Sequence, residues 1–286
     1  MTRAQARPRI AAVVETLLVV FVLMPGLTLF FYRSFPGFET WQTDTLGFPF
    51  PVFVHVVMAS LALLFIALRG GKMAAYGIRF DNLRAQLEIA AACFIPVVLA
   101  SMPHGFGVDH TAWGGALILS GTKIALLLWL GWRLRKEPLA LGAGAAGALL
   151  MLSQPPAGGA GGGIAAQAVA LFLTYALFVG FGEEILYRGY VHSRLNEAFG
   201  RPHSFFGVAF GWGTILAALV FGLTHVGFVR SMLEPGASLT PAWGVWTFFG
   251  GLVFAFVREK SGGVLAPALL HGLPQALASV AMLWLR

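Results

Sequence analysis

Hydrophobic positions form long runs along the chain, and short polar connections separate them. A helix needs about 20 apolar residues to cross the hydrocarbon core of a bilayer, and the runs do not alternate as strands of a membrane barrel would. The runs occupy residues 10–32, 50–68, 85–101, 113–132, 139–152, 164–187, 205–229, 242–257 and 264–285. Because 139–152 is short and rich in Ala and Gly, the pattern predicts an all-α, polytopic transmembrane helical bundle of about eight or nine spans.

Composition narrows the class of protein further. Of the 286 residues, 58% are hydrophobic and only 11% are charged, against roughly 25% charged residues in a typical soluble domain. These values exclude a water-soluble enzyme and a disordered chain. The only cysteine, Cys93, excludes an internal disulfide and any cysteine-based metal cluster.

The net charge of +7 comes from short basic clusters rather than from one basic face, so nucleic acid is not an expected partner. Fifteen of the 19 Lys and Arg residues lie in the N-terminal tail and in alternate connections between the runs. This is the asymmetry of cytoplasmic loops in membrane proteins. We therefore expect an integral, multi-pass protein in a lipid bilayer, of the bacterial inner membrane type, with a cytoplasmic N-terminus.

A Pro- and Gly-rich segment divides the chain. Pro155-Pro156 precedes five glycines within residues 158–163, a composition typical of a flexible connector. We predict N-terminal transmembrane helices in residues 1–153, a connector in 154–163 and a catalytic transmembrane core in 164–286. The sequence has no internal repeat, so a transporter or channel is only a weak alternative.

Two adjacent acids, Glu183 and Glu184, stand at the end of an apolar run. A charged side chain at the centre of a bilayer costs about 2.5–3.5 kcal/mol, so acids in such a run call for an explanation. Arg188 follows Glu184 by four residues, so the two share a helix face and can form an ion pair. Glu183 projects about 100° away from Glu184. It lacks that partner and is available as a general base. The alternative is a helix end at the interface, with both acids in water.

Two of the seven histidines stand out because each lies in an apolar run of the C-terminal group. These are His225 and His271, and Gln275 follows His271 by one helical turn. Gly222 and Gly272 adjoin them and allow helices to approach closely. The other five are expected to be surface or packing residues: His55, His104, His110, His192 and His203.

Glu183 and His225 are equally distant from the polar turn at residue 204, so an antiparallel hairpin would place them at similar depth. A carboxylate and an imidazole can activate water, while His271 and the amide of Gln275 can stabilise an oxyanion. Alternatively, Glu183, His225 and His271 would bind Zn²⁺ and leave one position open for water. Either arrangement predicts an intramembrane endopeptidase whose partner is a membrane-anchored protein or peptide.

Three motifs, Glu183-Glu184-Ile-Leu-Tyr-Arg188-Gly189, Phe221-x-x-x-His225 and the late His271, resemble those of the CPBP family. This is the CAAX protease and bacteriocin-processing group, also called type II CAAX endopeptidase-like or Abi proteins. The resemblance covers about residues 165–280 and implies an all-helical intramembrane peptidase. It implies that Glu183 and His225 activate water, that His271 and the residue four positions later form the oxyanion site, and that Glu184 and Arg188 support them. Both a metal centre and a glutamate-type centre have been attributed to the family.

The third motif departs from the family pattern. The family usually has His-x-x-x-Asn, whereas Gln275 stands four residues after His271. Glutamine offers the same amide donor on one more methylene, yet a 1 Å misplacement can lower a rate about 10²-fold. The departure motivates an alternative, a non-catalytic immunity or scaffold protein with the same fold. The family name implies prenylated substrates, but no residue of the sequence indicates one.

Overall fold

The computed structural model describes residues 3–48, 52–135, 162–227, 231 and 236–284. The all-α fold is confirmed. The helices are α1 Arg3–Leu18, α2 Met24–Ser34, α3 Phe38–Leu46, α4 Val52–Leu68, α5 Leu83–Gly105, α6 Trp113–Arg133, α7 Gly162–Leu173, α8 Gly180–Glu184, α9 His192–Phe199, α10 Trp212–Thr224, α11 Pro241–Ser261 and α12 Leu265–Trp284. Widened π-helical segments continue the helices at Val19–Leu23, Thr174–Val179 and Ile185–Val191, and Met73–Tyr76 forms a 3₁₀ turn.

Five of the nine predicted spans coincide with helices that are long and apolar enough to cross a membrane: Arg7–Ser34, Leu83–Gly105, Trp113–Arg133, Ala165–Phe199 and Leu265–Leu283. Two further predicted spans correspond to shorter apolar helices, α4 and α10. The predicted span 242–257 lies within α11. Residues 139–152 and most of the connector, residues 154–161, lie outside the described residues, so the proposed division of the chain stays a prediction.

The start of the predicted span 205–229 is wrong, because an antiparallel hairpin precedes α10. Strand β1, His203–Phe205, pairs with β2, Val208–Phe210. Phe206 and Gly207 connect the strands with φ angles of 49° and 80°, the left-handed geometry of a two-residue hairpin turn. The apolar residues here therefore belong to strands, and α10 begins only at Trp212.

The predicted span 164–187 also ends too early, because the helical segment continues through α9 to Phe199. Glu183 lies 16 residues before that end, and His225 lies 13 residues after the start of α10. At 1.5 Å per residue these separations are about 24 Å and about 20 Å. The hairpin and the longer helix together place the acid and the imidazole at comparable depth.

Basic connections meet at one end of the bundle. Arg69, after α4, donates to Glu15 of α1 over 3.1 Å and to Glu197 of α9 over 3.3 Å. Arg194 of α9 donates to the same Glu15 over 2.9 Å. The ion pairs join the first helix, the connection after α4 and the end of α9 in one polar layer.

The C-terminal helices pack against the N-terminal helices on two sides. One apolar cluster joins α1 and α4 to α10 and to the helical segment that carries Glu183, and it includes Ala12, Ile66 and Tyr190. A second cluster joins α5 and α6 to α11 and α12 through residues such as Cys93 and Leu270. The N-terminal helices are therefore in direct contact with the elements that carry the candidate site.

Candidate active site

The two adjacent glutamates lie in the short helix α8, between two π-helical segments. Glu183 is 8% exposed and Glu184 is fully buried. The alternative prediction, a helix end at the interface with both acids in water, is therefore wrong. Insertions of π-helix occur frequently at functional sites, and here they flank the only two adjacent acids of the chain.

Glu184 is held by two partners at the same oxygen. Arg188 Nη1 donates to Glu184 Oε1 over 2.8 Å, as the spacing of four residues predicts. His271 Nδ1 donates to that oxygen over 2.9 Å. The second guanidinium nitrogen of Arg188 bonds the carbonyl of Gly251 over 3.3 Å. Glu184 thus neutralises a buried arginine and fixes the orientation of the His271 ring.

Glu183 also has two partners, but at longer distances. Its Oε1 is 3.4 Å from Nε2 of His55, and its Oε2 is 3.8 Å from Nε2 of His271. Within the described part of the chain, the buried Oε2 accepts no hydrogen bond. A buried carboxylate oxygen without a donor is unusual in a folded protein. Oε2 of Glu184 is in the same state within the described residues, but of the two acids only Glu183 lines the cavity described below. Glu183 is therefore the acid better placed to accept a proton from a bound molecule.

His225 directly follows α10, and its ring is oriented by the backbone. Nδ1 is 2.9 Å from the carbonyl oxygen of Phe221. Because a carbonyl only accepts, Nδ1 carries the proton and Nε2 is the basic nitrogen of the neutral ring. His225 and Glu183 line one cavity of about 100 Å³. The other lining residues are Met24, Val54, Met58, Tyr187 and Thr224.

His271 reaches Glu184 because α12 approaches the π-helical segment very closely. A Cβ atom at Gly272 would lie 2.5 Å from the carbonyl oxygen of Tyr175, so only glycine permits this contact. The ring of Phe254 stacks on His271 with centroids 4.8 Å apart. The predicted role of Gly272 in close helix approach is confirmed by this geometry.

Phe221 connects the parts of the site. Its ring contacts His225 edge-on, with centroids 4.6 Å apart, and lies 6.1 Å from His271. The guanidinium carbon of Arg188 lies 4.2 Å from the centroid of the Phe221 ring, a cation–π distance. The phenylalanine of the second motif thus packs between the two histidines and the buried arginine.

The fold brings together five of the six predicted site residues: Glu183, Glu184, Arg188, His225 and His271. Gln275 lies one turn after His271 in α12, with an exposed side chain. Among the described residues, no hydrogen bond joins it to the other five. Its predicted role as a donor to an oxyanion stays a prediction.

Three residues at the site were not predicted from the sequence. His55 was expected to be a surface or packing residue, but it is 3% exposed and contacts Glu183. Tyr187 and Thr224 line the cavity, and the Tyr187 hydroxyl donates to Thr224 over 3.1 Å. The spacing of four residues between Glu183 and Tyr187 was an available signal, whereas the approach of His55 depends on tertiary packing.

The Zn²⁺ alternative concerns Glu183, His225 and His271. In residues 3–135 and 162–284, as far as the structure describes them, no three His, Cys, Asp or Glu side chains are grouped to hold a metal ion. Nδ1 of His271 is bonded to Glu184 and Nδ1 of His225 to a carbonyl, which leaves Nε2 of each ring as the nitrogen that could bind a metal. Zn²⁺ at these residues stays a prediction.

The chain was compared with known proteins and families. Residues 165–277 match the family described as Type II CAAX prenyl endopeptidase Rce1-like. No curated protein and no solved structure is significantly similar to the chain. The matched segment contains all six residues predicted for the site, and several apolar helices surround it. The match therefore supports the assignment of residues 165–277 to the type II CAAX prenyl endopeptidase Rce1-like family, a family of membrane proteases.

Proposed function

We propose that this chain is an intramembrane endopeptidase that hydrolyses a peptide bond of a membrane-anchored protein or peptide. The observation that carries the proposal is the shared cavity, which Glu183 and His225 both line. His271 Nε2 lies 3.8 Å from Glu183 on the other side of the carboxylate. An acid and an imidazole at one cavity, with a second imidazole beside the acid, are groups that can hydrolyse an amide.

In the proposed reaction, Glu183 accepts a proton from water, and Nε2 of His225 orients that water as a second acceptor. The water oxygen forms a bond to the carbonyl carbon, and the carbonyl electron pair moves to its oxygen. His271 donates from Nε2 to this oxyanion, with Gln275 as a second donor. When the C–N bond breaks, the proton on Glu183 passes to the leaving amine.

Glu184 and Arg188 support His271 in this scheme. Because Nδ1 of His271 already donates to Glu184, donation from Nε2 in this scheme uses the ring with a proton on both nitrogens. Arg188 keeps the charge of Glu184 compensated when His271 is neutral. The proposed mechanism uses no metal ion.

The basic end of the bundle supports the proposed orientation. Arg69, Arg194 and Arg201 belong to connections that meet there, and an excess of basic residues marks cytoplasmic loops. We propose that this end faces the cytoplasm, together with the N-terminus, in a bacterial inner membrane. The substrate then reaches Glu183 within the bilayer.

The proposal is tested with the purified chain in liposomes and two quenched-fluorescent probes. One probe is a single-span peptide, and the other is a farnesylated C-terminal peptide, because the matched family is described as prenyl endopeptidases. We expect cleavage of at least one probe, and Glu183→Gln should lower the rate by at least about 10²-fold, the contribution typical of a general base. Glu197→Gln, at an acid whose side chain is 58% exposed, is the matched control.

The same assay also separates the alternatives. Equal cleavage by wild type and Glu183→Gln would contradict the proposed reaction. Loss of activity with a chelator, and its recovery with Zn²⁺, would contradict the metal-free mechanism. Gln275 favours the alternative of a non-catalytic immunity or scaffold protein. That alternative predicts no cleavage of either probe, and unchanged biological activity when His225 and His271 are both replaced by alanine.

A further inference from the structure

His55 lies in α4, outside the segment that matches the protease family. Its side chain is 3% exposed, and Nε2 is 3.4 Å from Oε1 of Glu183. Because a carboxylate only accepts, the imidazole is the donor in this contact. The distance is at the long end for a hydrogen bond, as is common for catalytic contacts before substrate binds. An N-terminal helix thus supplies a polar partner to the proposed catalytic acid.

The contact depends on the residue that precedes Glu183. A Cβ atom at Gly182 would lie 2.8 Å from Cβ of His55 and 2.9 Å from its carbonyl oxygen. Real Cβ atoms do not approach that closely, so glycine allows the backbones of α4 and α8 to touch at this point. The close approach fixes His55 opposite Glu183. Val54 and Met58 of the same helix line the cavity, so α4 forms one wall of the site.

The two oxygens of Glu183 face different partners. Oε1 is opposite His55, while Oε2 is buried and receives no hydrogen bond within the described ranges. A donor on one oxygen fixes the rotation of the carboxylate about its last side-chain bond. The other oxygen then stays directed to the reacting water. Without the donor, the carboxylate can turn, and a 1 Å displacement of a reacting group costs about 10²-fold in rate.

We propose that His55 is a positioning residue for Glu183, donating from Nε2 to Oε1 so that Oε2 is held for the reacting water. This inference rests on the proposed peptidase function. It extends the catalytic unit beyond residues 165–277, because α4 would be required for activity as well as for packing. His55 acts through Glu183 and does not touch the substrate in this scheme.

Two substitutions at His55 separate a donor role from a packing role. His55→Leu keeps an apolar side chain of similar size but removes the donor, whereas His55→Gln retains an N–H at a similar reach. Val56→Ala is the matched control, because Val56 is the next residue of α4 and is 43% exposed. The variants are compared in the liposome assay by kcat, KM and melting temperature, with the probe that wild type cleaves.

We expect His55→Leu to lower kcat about 10²-fold. KM should stay within about twofold of wild type, since His55 does not contact the substrate in this scheme. The kcat of His55→Gln should be at least about tenfold higher than that of His55→Leu. The control should behave as wild type. Wild-type kcat in His55→Leu, or equal loss of kcat in both His55 variants, would overturn the positioning role.

A second measurement does not depend on activity. The melting temperatures of His55→Leu, Glu183→Gln and the double variant are compared with wild type. If the two side chains interact, the shifts are not additive, and additive shifts would overturn the contact itself. Non-additive shifts with no cleavage of either probe by wild type would refute the proposed function, and the positioning role with it, while leaving the contact established.

Discussion

Glu183, which is buried, and Glu259, which is half-buried, both lie beside histidines, yet their surroundings differ. Glu259, near the end of α11, accepts hydrogen bonds from Asn196 over 2.8 Å and from Arg201 over 2.9 Å. Its Oε1 is also 3.0 Å from Nε2 of His192, and Arg258 is 3.5 Å from its other oxygen. The Glu259 carboxylate is therefore surrounded by donors and cations at both oxygens.

Glu183 has two histidines near it, and its Oε2 has no donor within the described part of the chain. It also lines a cavity. Buried polar groups are normally satisfied, and an exception calls for a functional explanation. Burial beside a histidine is therefore not sufficient to identify a catalytic acid. Glu183 is distinguished by two features together, an oxygen without a donor within the described residues and a place in the cavity lining.

The strongest test of this difference replaces one histidine beside each acid. His225→Ala should lower the cleavage rate about 10²–10⁴-fold, because it removes a proposed base. His192→Ala should lower stability, while the rate per folded molecule stays within about tenfold of wild type. The measurement is the rate of probe cleavage in liposomes, normalised to folded protein. Equal loss of rate in the two variants would contradict the proposed difference between Glu183 and Glu259.

The next test concerns stability. Glu259→Gln leaves Arg258 without its nearest buried countercharge, and breaking a buried ion pair costs about 3–5 kcal/mol. We expect a loss of about 3 kcal/mol in the free energy of unfolding, near the lower limit, since the amide keeps one acceptor. Titration with a denaturing detergent measures it. An unchanged midpoint would contradict a structural role for this cluster.

The smallest expected effect is at Gln275. Gln275→Asn restores the residue that is usual in the family motif, and the rate should change by no more than about tenfold. Gln275→Ala removes the amide and should lower the rate more than Gln275→Asn does, since the proposed reaction uses this amide as a second donor to the oxyanion. Measured rates for the two variants in one assay check this order. Identical rates for Gln275→Ala and wild type would exclude the residue from the reaction.

Local geometry explains what the sequence predicted well. A spacing of four residues placed Glu184 and Arg188 on one helix face, and the structure has the ion pair. The apolar runs predicted the helices, because a backbone that lies in lipid must form its hydrogen bonds within the segment, as an α-helix does. Equal distances of Glu183 and His225 from the turn predicted similar depth, and both line one cavity.

Contacts between distant parts of the chain were not predictable in this way. His55 and Glu183 are separated by 128 residues, and only the packing of α4 at Gly182 joins them. The cluster around Glu259 likewise combines α9, α10 and α11. Residues 205–210 of the hairpin were predicted as the start of a helix, because their apolar side chains do not reveal the left-handed turn at Phe206 and Gly207. Charge and hydropathy do not encode such pairings.

The most direct test of the central claim compares Glu183→Gln with Glu259→Gln in one liposome assay, at equal amounts of folded protein. The same chemical change is made at the two acids that lie beside histidines in different surroundings. If Glu183 activates the water, Glu183→Gln cleaves the probe at least about 10²-fold more slowly, while Glu259→Gln retains a rate within about tenfold of wild type. Cleavage by Glu183→Gln at the rate of Glu259→Gln would contradict the account.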